Sequence, residues 1–237
     1  MSENSYQPYF DDSASQIVDT CPITDFLQLV SFMEFAFLLY FGSGIIDGDL
    51  YKMYFFSLSL LKHIHEQILK RSFKYFPLTR GLNIRPQGAN DCNSLNKGGI
   101  VGPPNDYEKI KEITNNFTNN WDDKIYGKPG MPSGHTTVLT MYFVLHLCNI
   151  IYLYISEKKK VNIKSLVLLG IFFIGIILIG YARIYLNCHT FIQVFFGYIL
   201  GILLGLGSFF LSKLLIKKYP FFKKAFIKFY TEDYIQN

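Results

Sequence analysis

Residues 132–155 read PSGHTTVLTMYFVLHLCNIIYLYI, and the fold turns on them. From Thr136 to Ile155 the run holds no Asp, Glu, Lys or Arg. It is long enough for a helix to cross a bilayer, which takes about 20 apolar residues. The first four residues put a proline, a hydroxyl, a glycine and an imidazole where a polar loop gives way to that run. A histidine at such a boundary, beside a hydroxyl and the start of a helix, is an acid next to a place for an anion.

Working outward, the composition agrees. The chain has 237 residues, of which 50% are hydrophobic, 17% aromatic and 17% charged. Its mean hydropathy is slightly positive. Soluble domains carry nearer a quarter of charged residues, so this is the balance of a membrane domain. Further apolar stretches approach spanning length at 26–46, 51–69, 166–186 and 191–216. The expectation is an all-α integral membrane protein, a helical bundle of about five transmembrane helices with a long irregular loop at 71–133.

The stretch 51–69 is the most polar of the five, since it holds Lys52, Lys62, His63, His65 and Glu66. Ionised groups at mid-bilayer are costly. Lys62, His63 and His65 either snorkel or line a polar cavity, or else the stretch is an amphipathic helix that packs on the others without crossing.

Three regions are expected: a polar segment 1–25, a membrane domain 26–216, and a basic aromatic tail 217–237. The first residues are polar, hold acids and lack a basic start, so no secretory leader is read there and the first span serves as an uncleaved anchor. Five spans would put the N-terminus, loop 71–133 and the junction 186–190 on one face. Lysines gather on the other, at Lys158, Lys159, Lys160 and Lys164 and again at Lys217, Lys218, Lys223, Lys224 and Lys228. By the positive-inside rule the lysine face, with the C-terminal tail, is cytosolic and the motif face lumenal or extracellular. The sequon at Asn116 fits that side. Cys21 and Cys92 would also face an oxidising compartment, with two buried free thiols as the alternative. Lysines alternating with Phe221, Phe222, Phe226, Ile227 and Phe229 suit a helix lying on anionic lipid.

Cationic and imidazole groups recur where other apolar runs end, at Arg85-Pro86, Arg183 and His189. Hydrolysing a phosphate ester takes a nucleophile, an acid for the leaving oxygen, and donors around the equatorial oxygens. His189 is the candidate nucleophile and His135 the acid. Arg85, Arg183, Ser133 and the Gly134 N–H are candidates for holding the charge. Read alone, His189 is an ordinary helix-end histidine and Arg183 an arginine snorkelling to headgroups. Their order, spacing and shared face make them a set. His63, His65 and His146 lack such partners and read as structural.

These residues resemble the type 2 phosphatidic acid phosphatase superfamily over about residues 51–215. That family's pattern is Lys, six residues, Arg-Pro; then Pro-Ser-Gly-His; then Ser-Arg, five residues, His, three residues, Asp. The second part is complete at Pro132 to His135. The resemblance implies a membrane phosphatase that acts on a lipid phosphate or diphosphate. It implies attack by His189 to form a phosphohistidine, proton donation by His135, and phosphate binding by Arg85, Arg183 and Ser133. No catalytic metal or cofactor is implied. The expected partners are an amphiphilic phosphorylated lipid and the membrane, not nucleic acid.

The departures bear on rate. Gln193 stands where the family has Asp, Leu78 where it has Lys, and Ala182 where it has Ser. A glutamine can orient the nucleophilic histidine but cannot stabilise its cation as a carboxylate does. Arg80 is a candidate to replace the missing lysine, with Lys74 a weaker one. Two readings follow: a weakened enzyme, or a catalytically silent relative that binds phosphorylated lipid or a membrane partner. Glycines at 197, 201 and 205 recur every four residues, a close-packing pattern expected to join the last two spans, with a homo-oligomer seam as the alternative use.

Overall fold

The computed structural model describes residues 26–27, 29–30, 33–75, 82–83, 129–186 and 188–231. These residues form helices α1 (Met33–Asp47), α2 (Leu50–Tyr75), α3 (Gly134–Ile155), α4 (Ile163–Tyr185), α5 (Phe191–Lys218) and α6 (Pro220–Tyr230), and no strand occurs among them. The expected all-α membrane architecture is the one observed.

Three helices, α3, α4 and α5, are long and apolar enough to cross a membrane. On α4 and α5 large apolar side chains such as Ile171, Phe173, Ile174, Leu203, Phe210 and Leu214 point outward. Such a surface is costly in water and suits hydrocarbon. The other two stretches read as spans fall short for separate reasons. The apolar part of α1 is the short Ala36–Asp47. In α2 the length is ample, and the polar residues lower its hydropathy.

Even so, α2 runs antiparallel to α3 from Tyr51 to Glu66. Near its start Tyr51 OH accepts a hydrogen bond from Asn149 Nδ2 at 2.6 Å. Two turns on, the hydroxyls of Ser59 and Tyr142 meet, and two turns further Glu66 lies against Gly134. The polar residues of α2 divide by face. Lys62 and Glu66 are buried, whereas His63 and His65 are exposed. A tight corner joins α1 to α2: Gly48 has φ +65°, a left-handed conformation that glycine takes without steric cost. Asp49 Oδ1 then caps α2 by accepting from Tyr51 N at 2.9 Å and Lys52 N at 3.1 Å.

The tightest contact is between α3 and α5. A Cβ on Gly197 would lie 2.8 Å from the Ser133 carbonyl, one on Gly201 2.7 Å from that of Thr137, and one on Gly205 2.9 Å from that of Met141. The glycine stripe therefore seats α5 on the backbone of α3, not on α4 as the sequence suggested. The physical reason lies in the facing residues. Thr136, Thr137 and Thr140 are small and buried, and the first two return their hydroxyls to Ser133 O at 3.0 and 2.8 Å, so α3 offers a narrow, hydrogen-bonded groove. Between α4 and α5, Gly180 makes room for the Tyr198 hydroxyl, which donates to Ile176 O at 2.9 Å.

At the opposite end, α6 returns to the bundle. Phe222, Phe226 and Tyr230 are buried, so this side of α6 packs on protein, while Phe221 is exposed. The Tyr230 hydroxyl lies 2.9 Å from His146 Nδ1, and His146 Nε2 lies 2.9 Å from Ser165 O. Asn162 N donates to Tyr230 O at 2.9 Å. His146 is the structural histidine the sequence implied.

Candidate active site

The spacing Arg, five residues, His folds into the corner between α4 and α5. Arg183 closes α4, and its carbonyl accepts the N–H groups of both Cys188 and His189 at 3.0 Å. Thr190 then starts α5 with a capping box. Its hydroxyl accepts from Gln193 N at 3.3 Å while Gln193 Oε1 accepts from Thr190 N at 3.2 Å. Helix α5 thus carries Gln193 one turn from its start, and the local cap sets that side chain's direction.

Gln193 is fully buried and bonds through both ends of its amide. Oε1 faces His189 Nδ1 at 3.2 Å, and Nε2 donates to Leu82 O at 2.9 Å. Because Thr190 N–H points at one end and a carbonyl faces the other, the orientation of the amide follows from its partners. His189 Nδ1 is then the donor in that contact, which leaves the imidazole lone pair on Nε2. The backbone carbonyl of Gln193 accepts from Ser133 N at 3.2 Å. One residue therefore ties the His189 corner to Pro132-Ser133-Gly134-His135.

Ser133 is the N-cap of α3, but its side chain makes no capping bond. Its buried Oγ has no hydrogen-bond partner among the described residues. The first N–H groups of a helix have no intrahelical acceptor. A buried hydroxyl left without its usual bond, beside the amides that begin α3, is suited to an oxyanion. His135 is half-buried within the first turn of α3. The charged groups around it are Arg183, Lys62, Glu66 and Lys70.

Arg85 and Arg80 lie outside the described residues, as does Leu78. Their neighbours Leu82 and Asn83 do not, and these reach the same place. Asn83 is fully buried; its Oδ1 accepts from Met131 N at 2.9 Å and its carbonyl from Gly130 N at 2.8 Å. With the Gln193 bond to Leu82, the segment just before Arg85 is stitched to both other parts of the pattern. The residues the structure brings together are thus Ser133, Gly134, His135, Arg183, His189 and Gln193, joined by Leu82 and Asn83.

Asn83, Glu66 and Lys70 were not assigned to the site from the sequence, whereas Lys62 was expected to snorkel or to line a polar cavity. Asn83 carried no signal beyond its place two residues before Arg85. The buried ion pairs of Glu66 with Lys62 at 2.9 Å and with Lys70 at 2.5 Å did carry one, because 62, 66 and 70 fall on one helical face at four-residue spacing. Cys148 is free and Cys188, adjacent to His189, is disulfide-bonded. Cys21 and Cys92 lie outside the described residues. Among the described residues no three His, Cys, Asp or Glu side chains gather as metal ligands would.

The PAP2 superfamily matches residues 97–216, half of the chain. The matched span contains Pro132 to His135 and Arg183 to Gln193 and stops short of Arg85. No curated protein and no solved structure matches the chain. On its membrane helices, its Pro-Ser-Gly-His turn and this match, the chain belongs to the PAP2 superfamily.

Proposed function

We propose that the protein is a membrane phosphatase that hydrolyses a lipid phosphate or diphosphate without a metal, through a phosphohistidine at His189. The observation that carries this reading is the contact of Gln193 Oε1 with His189 Nδ1, which puts the proton on Nδ1 and the lone pair a nucleophile needs on Nε2. Nε2 attacks phosphorus while His135 gives a proton to the leaving oxygen. Arg183, Ser133 Oγ and the Gly134 N–H hold the equatorial oxygens, and Arg85 joins them. Water, deprotonated by His135, then breaks the phosphorus–nitrogen bond. A site at the ends of apolar helices favours an amphiphile whose tail stays in lipid, reached from the lumenal or outer leaflet.

The test is phosphate release from a panel of lipid phosphates and diphosphates in detergent with EDTA present. Release is expected from the wild type and not from His135→Ala or His189→Ala. Undiminished release from His189→Ala would sink the assignment.

A second reading, a relative that binds phosphorylated lipid without turnover, is favoured by one observation. Gln193 is neutral where the imidazolium formed on attack wants a carboxylate. Wild type that releases no more phosphate than the two histidine variants, yet is stabilised by the same lipids, would support it.

A further inference from the structure

The end of the bundle remote from the His189 corner holds a cavity for which the proposed reaction has no use. Ile163 opens α4 and Arg183 stands near its close, about 30 Å away at a rise of about 1.5 Å per residue. Helices α1 and α4 meet where Phe37 packs on Phe172, with ring centroids 4.8 Å apart. From that contact back to Asn162 at the start of α4, the two helices, the start of α2 and the end of α6 line a cavity of about 1100 Å³. Sites for small ligands commonly measure about 300–1,000 Å³. One wall is apolar, with Phe37, Tyr40, Val167 and Ile171. Tyr40, Val167 and Ile171 are 43%, 54% and 43% exposed, so this wall opens to the surroundings of the bundle. The opposite rim is polar. Its neutral side chains bond to protein, Asn162 to Ser165 N and Phe229 O at 2.8 and 3.1 Å and Thr231 Oγ1 to Ile227 O at 2.8 Å. Lys164 and Lys228 also line it and are exposed, and neither makes an ion pair or hydrogen bond with the described residues. The other charges there are Lys52, paired with Asp47 at 2.8 Å, and the Asp49 carboxylate that caps α2. Two lysines therefore face one carboxylate, and the rim is cationic.

We propose that this cavity binds one anionic phospholipid from the leaflet opposite the catalytic corner, its phosphate on Lys164 and Lys228 and an acyl chain along Phe37, Val167 and Ile171. Charge complementarity chooses the headgroup. An anionic lipid brings a net charge opposite to that of the rim, whereas a zwitterionic one brings a cation of its own toward two lysines. The apolar wall chooses a lipid over a free phosphate. Ile171 shares α4 with the outward-pointing Phe173 and Ile174, so a chain laid on that wall exchanges bulk hydrocarbon for a fitted surface and never meets water. A molecule seated there touches α1, α4 and α6 together and stabilises the folded bundle by mass action. No step of the proposed reaction enters the cavity, so a protein without turnover would bind the lipid equally well.

The full chain in detergent is titrated with dioleoylphosphatidylglycerol in mixed micelles, and thermal unfolding reads the binding. The wild type should gain in Tm, and dioleoylphosphatidylcholine at the same mole fraction should raise it much less. Equal gains from the two lipids would overturn the proposal. In Lys164→Gln/Lys228→Gln the half-saturating mole fraction should rise at least about tenfold, the size of one charge-assisted bond. Lys223→Gln/Lys224→Gln removes two exposed lysines of α6 that do not line the cavity, and it should bind as the wild type does. Equal losses in these two variants would mean a diffuse basic surface and no site. Val167→Trp fills the apolar wall with both lysines in place and should also weaken binding. Unchanged binding by that variant, or stabilisation of the wild type by sn-glycerol 3-phosphate as large as that by the lipid, would overturn a seat for the acyl chain. A gain lost in Arg183→Ala and kept in Lys164→Gln/Lys228→Gln would put the lipid at the catalytic corner and overturn the proposal.

Discussion

Gln193 holds His189 and Leu82 at once: Oε1 lies 3.2 Å from His189 Nδ1, and Nε2 donates to the Leu82 carbonyl at 2.9 Å. A carboxylate at this position could serve the histidine but not the carbonyl, because it has no N–H to give. The glutamine that cannot stabilise a histidine cation as a carboxylate does therefore also fastens Leu82, three residues before Arg85, to the site.

Gln193→Glu separates the two tasks while keeping the reach of the side chain. If the protein turns over lipid phosphates, kcat should rise at least about tenfold, since the new charge stabilises the imidazolium formed on attack. Stability should fall by about 0.5–1.5 kcal/mol, because the part-buried bond to the Leu82 carbonyl is lost. Steady-state kinetics and thermal unfolding in detergent read both, and a lower Tm with no gain in kcat points to the binding reading.

Ser133→Ala distinguishes a phosphate ligand from a helix cap. An N-cap serine that makes its bond costs about 1 kcal/mol when removed, but the Ser133 hydroxyl makes no capping bond. The variant should unfold at the wild-type temperature or slightly above it, while KM for a lipid phosphate rises about tenfold, as expected from losing one bond to a charged group. A clear drop in Tm with KM unchanged would return Ser133 to a structural role.

The α3–α5 seam gives a paired test. Gly201→Ala puts a methyl 2.7 Å from the Thr137 carbonyl and 2.6 Å from Thr140 Cβ, so the helices must part, at a cost of about 1–3 kcal/mol. Gly207→Ala has nothing within 4 Å of the new Cβ, and it should be neutral or stabilising by about 0.5–1 kcal/mol through helix propensity. Thermal unfolding of the two variants in the same detergent measures the contrast. Equal effects would mean that the seam is looser than described.

Tyr230→Phe tests whether α6 belongs to the bundle. It removes the hydroxyl that lies 2.9 Å from His146 Nδ1 and accepts from Asn149 Nδ2 at 3.3 Å. Leaving buried partners without it should cost about 1–3 kcal/mol. The same substitution on a helix that merely lay on lipid would leave Tm unchanged.

The class of protein was legible in the chain because it depends on composition and run length. An uncharged stretch from Thr136 to Ile155 next to a loop must be an interior or membrane helix, and three such helices emerged close to their expected bounds. The Arg183 to His189 spacing was legible too, since a helix end and a cap are local structures written in a few neighbouring residues. What the sequence could not assign was the partner of each face. A four-residue glycine repeat states that something comes close without naming it, and only packing showed that the backbone of α3, with its small threonines, is what Gly197, Gly201 and Gly205 approach. The same holds for α2. Its lysines and glutamate lower its hydropathy below that of a span, yet tertiary structure turns Lys62 and Glu66 inward beside His135 and leaves His63 and His65 outside. Local sequence determined which segments are helices and where they end, because hydrogen bonds and hydrophobic length act over single turns. The fold alone decided which polar groups meet, because that requires two helices, distant in the chain, in one register.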